Sequence, residues 1–164
     1  MSQTRFCDEL TALLPKLRRF ARGLAHDAAD GDDLCQATIE RALKSRHQWQ
    51  DGTRLDAWVY RIMRNLWIDE ARARTRRTQT FAVEEEGLDI GDGGDRAIEA
   101  HIELGHVDRA LGELPEEQRE AVILVLVEGY AYKEAAEMIG CPIGTLTSRL
   151  VRGREALMRR LGEA

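Results

Sequence analysis

The sequence contains no window of about 18 uninterrupted apolar residues, the length a helix needs to cross a bilayer, and its opening, Met1 to Leu10, lacks the apolar core of a secretory leader. A cytoplasmic protein without a membrane span is expected. Its three cysteines, Cys7, Cys35 and Cys141, are odd in number, far apart and without a CxxC pair, which argues against a disulfide framework and against a zinc site. They read instead as small buried hydrophobes. The four histidines form no HxxxH or HExxH pair, and His101 and His106, five apart, fall on different helix faces. No metal or other cofactor is expected. No nucleophile with its base, metal cluster or phosphate loop is present, so an enzyme is not expected either.

Aromatic residues are also few, at 5%, while Ala, Leu, Glu and Arg are abundant within 43% hydrophobic and 32% charged residues. That balance favours helices and predicts an all-α protein. A length of 164 residues permits one domain or two small ones. The net charge of −5 speaks at first against nucleic acid, but it is unevenly placed: residues 1–80 carry +4, residues 81–108 carry −8 and residues 109–164 carry −1. The acidity sits in the middle, between segments with basic patches of their own.

Leu10, Leu13, Leu14, Leu17, Phe20 and Leu24 form one apolar stripe and predict a helix from about Gln3 to Leu24. The acidic run Asp27 to Asp33 offers N-caps for a second helix to about Arg46, whose exposed side carries Asp33, Gln36 and Glu40. After a turn at Trp49 to Gly52, Thr53 to Asp56 has the form of a capping box opening a third helix to about Arg77. Leu55, Trp58, Val59, Ile62, Met63 and Leu66 stack on one face of it, and Arg61, Asn65, Ile68 and Arg72 on the opposite face. Its basic end, Arg72 to Arg77, reads either as a solvated complement to the helix dipole or as a nucleic-acid contact. Residues 78–95 hold Glu84, Glu85 and Glu86 followed by four glycines and little to bury, and read as a flexible acidic linker between two small helical domains, 1–77 and 96–164.

The most specific local pattern is Tyr132 to Leu150: a short helix with Ala135 and Ala136, a turn at Gly140 and Pro142, and a second helix from about Gly144 to Leu161. Small residues let two helices cross closely, glycine takes the left-handed cap and proline ends the run, which together make a helix-turn-helix. Leu146, Leu150, Gly153 and Leu157 form the inward stripe of the second helix, and Ser148, Arg152, Glu155 and Arg159 the outward one, flanked by Thr147, Arg149, Val151 and Arg154. Such a helix fits the major groove, with Arg152 as the first choice for base reading and Arg149, Arg154 and Arg159 equally suited to phosphate. The bland alternative is an amphipathic helix with a charged outer face.

DDLCQAT (32–38), WVYRIMRNLWIDEAR (58–72), LPEEQR (114–119) and GTLTSRLVRGR (144–154), in that order, resemble regions 2 and 4 of the extracytoplasmic-function (ECF) branch of the sigma-70 family. The resemblance implies a subunit that directs core RNA polymerase to promoters. It implies that Asp33, Gln36 and Glu40 meet the clamp helices of the polymerase β′ subunit. Trp49, Ile62 and Asn65 would line a pocket for a flipped base of the unpaired −10 element, with Arg61 and Arg72 near its backbone; an aromatic or apolar wall and an amide suit such a base. Trp49 could instead be a core aromatic at a helix end. Thr147, Ser148, Arg149, Val151, Arg152 and Arg154 would face the −35 duplex, and Ala121, Val122, Leu124 and Val125 the β flap. An anti-sigma partner is also implied. The Glu9 to Pro15 opening and Leu114 to Ala121 are similar to the alphaproteobacterial general-stress members. Departures from the family pattern are Ala37, where an acid is common, and Gly153, where alanine is usual. A stand-alone helix-turn-helix regulator and a sigma-like decoy for an anti-sigma factor are the competing readings. If the −8 segment folds back on the basic helices, neutralising Glu84, Glu85 and Glu86 should raise duplex binding by the isolated chain in a titration; unchanged affinity would sink that idea.

Overall fold

The computed structural model describes residues 2–80 and 98–162, and every regular element among them is helical. No helix among them is long and apolar enough to cross a membrane. The expected linker lies outside the described residues from position 81 onward, Glu84, Glu85 and Glu86 included.

Helix α1 (Gln3–Ala12) starts at Ser2, whose hydroxyl accepts the Arg5 N–H at 3.3 Å. The single helix expected to run to Leu24 is two, because Pro15 enters the first turn of α2 (Leu14–Ala25) without an N–H to continue the ladder. Leu13 is the joint, its N–H shared between the carbonyls of Glu9 and Leu10 at 3.2 and 3.1 Å. Leu10, Leu17, Phe20 and Leu24 still bury, so the apolar stripe survives the break. In α3 (Ala28–Lys44) the Asp27 carboxylate caps the N-terminus by accepting the Asp30 N–H at 2.9 Å. The capping box expected at α4 (Leu55–Thr80) does not form. The Thr53 hydroxyl donates to the Gln50 carbonyl at 2.6 Å, closing a turn around Gly52, and the Asp56 carboxylate turns to other partners.

The C-terminal half holds α5 (Ile98–Gly112), α6 (Glu116–Val122), α7 (Tyr132–Ile139) and α8 (Ile143–Gly162). After Val122 the α6 ladder widens into one π-helical turn, Ile123–Val127, in which the Glu128 N–H reaches the Ile123 carbonyl at 2.9 Å. Between α7 and α8, Gly140 takes φ +81, and its N–H returns to the Ala136 carbonyl at 2.8 Å, the glycine cap that the turn requires. Helix α8 lies on α6 at Gly153, where a β-carbon would meet Val122 Cγ2 at 2.9 Å and the Gln118 carbonyl at 3.1 Å. The departure from alanine at this position is therefore what lets the two helices approach so closely.

The two helical domains pack against one another. Leu114, Ala121, Val122, Leu124 and Tyr130 belong to the same buried cluster as Leu17, Phe20, Val59, Tyr60 and Met63, with α2 against α6 and α4 against α7. Because Gly153 has no room for branching, Gly153→Val should cost about 1–3 kcal/mol by overpacking. Urea unfolding monitored by helicity would register this as a lower midpoint.

Candidate nucleic-acid and polymerase interfaces

Helix α8 presents the outward stripe that its sequence anticipates. Ser148, Arg152, Glu155 and Arg159 are exposed, and Leu146, Leu150 and Gly153 are buried against α6 and α7. The flank is more differentiated. Thr147 is half-buried and its hydroxyl donates to the Ile143 carbonyl at 2.8 Å, which leaves its methyl as the free surface. Arg149 is half-buried beside Glu117 at 3.5 Å, on the opposite flank from Arg154 and Val151, both exposed.

On α4, Ile62 and Asn65 line a cavity of about 240 Å³ that α3 and the following turn close with Arg41, Ser45 and Gln48. Trp49 is not in it. Its ring packs on Phe6 at 5.7 Å, only 9% of the residue is exposed, and its buried Nε1 has no hydrogen-bond partner. The aromatic wall of the cavity is Trp58. Trp49 is thus a core aromatic whose edge opens on a different recess, with Arg46, His47 and Asp51. Arg61 is exposed, and its guanidinium donates to the Glu137 carbonyl of α7 at 2.9 Å. Arg72 lines a groove of about 700 Å³ with Ile68, Arg76 and Glu116.

Asp33, Gln36 and Glu40 are all exposed on α3, with Gln36 and Glu40 at 3.5 Å from each other. Gln36 and Glu40 border a groove of about 490 Å³ against Leu14, Arg18 and Arg22 of α2. The apolar surface expected at Ala121, Val122, Leu124 and Val125 is overturned. The first three are fully buried and Val125 is half-buried, whereas Leu126 and Val127 are 51% and 58% exposed. The physical reason is the π turn, which departs from 100° per residue and ends with Leu126 and Val127, rather than their predecessors, facing outward.

What sequence reasoning missed is the polar seam between the halves. The Arg119 guanidinium, 8% exposed, donates to four backbone carbonyls: Gly23 at 2.7 Å and Leu24 at 3.2 Å in the last turn of α2, Gly112 at 3.3 Å at the end of α5 and Leu114 at 3.4 Å just beyond it. Those are orphan acceptors at two helix C-termini, where a cation is favoured. Burial holds the Arg119 guanidinium below its ordinary pKa. Next to it the buried Glu120 carboxylate accepts from Tyr60 Oη at 2.5 Å and from Arg64 Nε at 2.7 Å. Burial raises the Glu120 pKa, outweighing those two donors. Further along, Tyr130 Oη donates to Asp56 at 2.6 Å and accepts from Lys16 Nζ at 3.0 Å, and Arg19 forms a bidentate pair with Glu128 at 2.7 and 3.2 Å. A signal was available: Ala121 to Val127 is apolar all round, which marks a helix with partners on more than one side.

Residues 10–64 match the family model for the Sigma2 domain of PhyR, and residues 104–157 that for Sigma-70, region 4. The chain is 38% identical over 150 residues to the ECF RNA polymerase sigma factor EcfG of Rhodopseudomonas palustris, covering 92% of this chain and 81% of that protein. Its fold matches the sigma factor RpoE of Bartonella quintana, solved in complex with the anti-sigma factor NepR, with TM-score 0.82, 34% identity and coverage of 96% and 97%. It also matches CnrH, solved with the cytosolic domain of CnrY, with TM-score 0.71, 25% identity and coverage of 99% and 90%.

The seam predicts a signed pH effect. Burial would raise the Asp56 pKa, but the bonds from Tyr130 and Arg54 outweigh it, so the carboxyl titrates below its ordinary 3.8. A lowered carboxyl pKa stabilises the fold above the unfolded value, and that contribution is lost as pH falls through the folded one. The stability difference between wild type and Asp56→Asn should therefore be constant above about pH 5 and shrink below about pH 4 in urea titrations run across that range. A difference independent of pH would remove the assignment.

Proposed function

The chain belongs to the ECF sigma factors of the sigma-70 family, and from that premise we propose that it directs core RNA polymerase to a set of promoters by reading two elements with two helical modules, residues 1–77 and 96–164. The observation that carries the reading is α8. It is the second helix of a helix-turn-helix, α6 and α7 hold it from behind, and Ser148 and Arg152 stand exposed in the middle of its outer face. A helix so mounted enters a major groove, where an arginine bonds guanine O6 and N7 together.

In this reading Arg152 and Ser148 address bases of the −35 duplex. Val151 and the Thr147 methyl supply apolar contacts beside them, and Arg149 and Arg154 sit near phosphate. The Ile62–Asn65 cavity takes an unpaired base of the −10 strand, with Asn65 bonding its edge and Trp58, in the place foreseen for Trp49, as the aromatic wall. Arg61 and Arg72 lie along the same face of α4 for the strand's backbone. Asp33, Gln36 and Glu40 form the exposed polar face of α3 that meets the β′ clamp helices, and Leu126 with Val127 replaces the buried quartet as the apolar surface for the β flap. An anti-sigma factor is the expected regulator, on the strength of the RpoE and CnrH complexes.

The match of residues 10–64 to the Sigma2 domain of PhyR, a protein solved as an anti-anti-sigma factor in complex with the anti-sigma factor NepR, favours one competing reading, a sigma-like decoy that occupies an anti-sigma factor. Run-off transcription with purified core polymerase on a genomic promoter library separates the two. A sigma subunit yields promoter-dependent transcripts only when the chain is added, and a decoy yields none. In the same assay Arg152→Ala should lower transcript from the best promoter by roughly 5- to 100-fold, the worth of one bidentate base contact. Undiminished transcript would remove Arg152 from base reading.

A further inference from the structure

Helix α4 has a third face. Tyr60, Arg64 and Trp67 follow the spacing i, i+4, i+7, and so form a stripe that flanks the Arg61, Asn65 and Arg72 face by a fraction of a turn. An arginine between two aromatic residues is the pattern single-stranded nucleic acid uses: rings stack on bases and the guanidinium meets phosphate. In the closed chain carboxylates of α6 engage all three polar ends, while the Tyr60 ring itself packs edge-on against Phe20 of α2 at 4.9 Å. Tyr60 Oη and Arg64 Nε both donate to Glu120, at 2.5 and 2.7 Å, and Trp67 Nε1 donates to Glu116 one turn earlier on α6. The Arg74 guanidinium lies 5.4 Å from the Trp67 ring centroid, a second cation at the same end of the stripe. The groove lined by Ile68, Arg72 and Arg76 continues from there along α4 and is bounded by the same Glu116.

We propose that Tyr60, Arg64 and Trp67 are a covered extension of the strand-binding face of α4, and that Glu116 and Glu120 occupy it in the closed chain where promoter strand would otherwise lie. Arg64 is the phosphate ligand of this extension, Trp67 its stacking platform, and Tyr60 a positioning residue. Glu120 neutralises the Arg64 guanidinium and α6 fills the space beside it, so α6 and the strand compete for this position. The other seam contacts do not share this property. Arg19 with Glu128 and Arg54 with Glu134 join α2 and the start of α4 to the second half, away from the Asn65 face. Occupation of Arg61 by the Glu137 carbonyl works in the same direction, since a second cation of the strand face is also engaged by the helix-turn-helix.

The inference rests on the −10 reading of α4, and its test is independent of polymerase. The full chain is titrated into a fluorescein-labelled oligothymidylate of about 20 nucleotides, longer than the usual single-strand site, and anisotropy is followed at several salt concentrations. Two variants uncover the stripe by different routes. Glu116→Gln with Glu120→Gln neutralises the cover, and Arg119→Gln releases α6 from the α2 carbonyls without touching α4. Small-angle scattering should show both expanded, with helicity retained. Both should bind the oligonucleotide about tenfold or more tightly than wild type, the worth of one stacked base. Adding Arg64→Ala should cancel most of that gain in each background and reduce the salt slope by about 0.7, one phosphate of a single strand. Adding Trp67→Leu should cancel affinity at unchanged slope. Expanded variants that gain nothing, or a gain that survives Arg64→Ala, would overturn the proposal. A wild-type chain inactive in run-off transcription would fault the sigma reading and leave the oligonucleotide result standing.

Discussion

The join between the first half of the chain and the second is centred on one buried neighbour pair, Arg119 and Glu120. Taking a guanidinium out of water is costly unless its donors are used. Arg119 uses them on the last carbonyls of α2 and on those at and just past the end of α5, groups that otherwise have no intrahelical partner. Glu120 points the other way, into α4, and is matched there by one hydroxyl and one guanidinium. Consecutive residues on a short helix thus hold three other helices in register. If the halves part, Glu120 loses both its donors and Arg119 keeps only the Gly112 and Leu114 carbonyls, so separation needs water to enter the seam.

That constraint explains the arrangement of the surfaces as well as of the core. With α6 fixed against α2 and α4, the helix-turn-helix is mounted so that α7 touches α4 and α8 is held from behind, its Ser148 and Arg152 outward. On α4 the same docking partitions one helix into three faces: a core face at Val59 and Met63, an exposed face at Arg61, Asn65 and Arg72, and a face sealed by α6 at Tyr60, Arg64 and Trp67. A single long helix with few apolar gaps can serve a core, a ligand and a second module only because 3.6 residues per turn give it that many sides. The π turn at Ile123–Val127 serves the same economy, since it lets a wholly apolar run bury its first part and present Leu126 and Val127 at the end.

Much of this was legible in the residues. The all-helical class, the stripes of α2, α4 and α8, the glycine cap at Gly140 and the exposed Asp33, Gln36 and Glu40 follow from local periodicity and turn chemistry, which do not depend on distant partners. The differences have separate causes. An unbroken apolar stripe masks the break that Pro15 imposes by lacking an N–H, the capping box at Thr53 yields to a competing local bond to Gln50, and a π turn shifts the faces after Val122. Trp49 is decided by packing, because an aromatic at a helix end suits a core or a pocket equally until Phe6 is seen against it.

Neighbouring residues alone settle which helices form and which side of each is apolar, because periodicity and capping are properties of a few adjacent positions. The family followed from the order of four such segments. Tertiary structure alone decided that the two modules share a core and that Arg119 serves the carbonyls of two helices. It alone placed Tyr60, Arg64 and Trp67 against carboxylates rather than solvent. Hydrogen bonds between residues 56 or 60 positions apart leave no periodic trace, and a buried polar group has the same letter as an exposed one until its partner is in place.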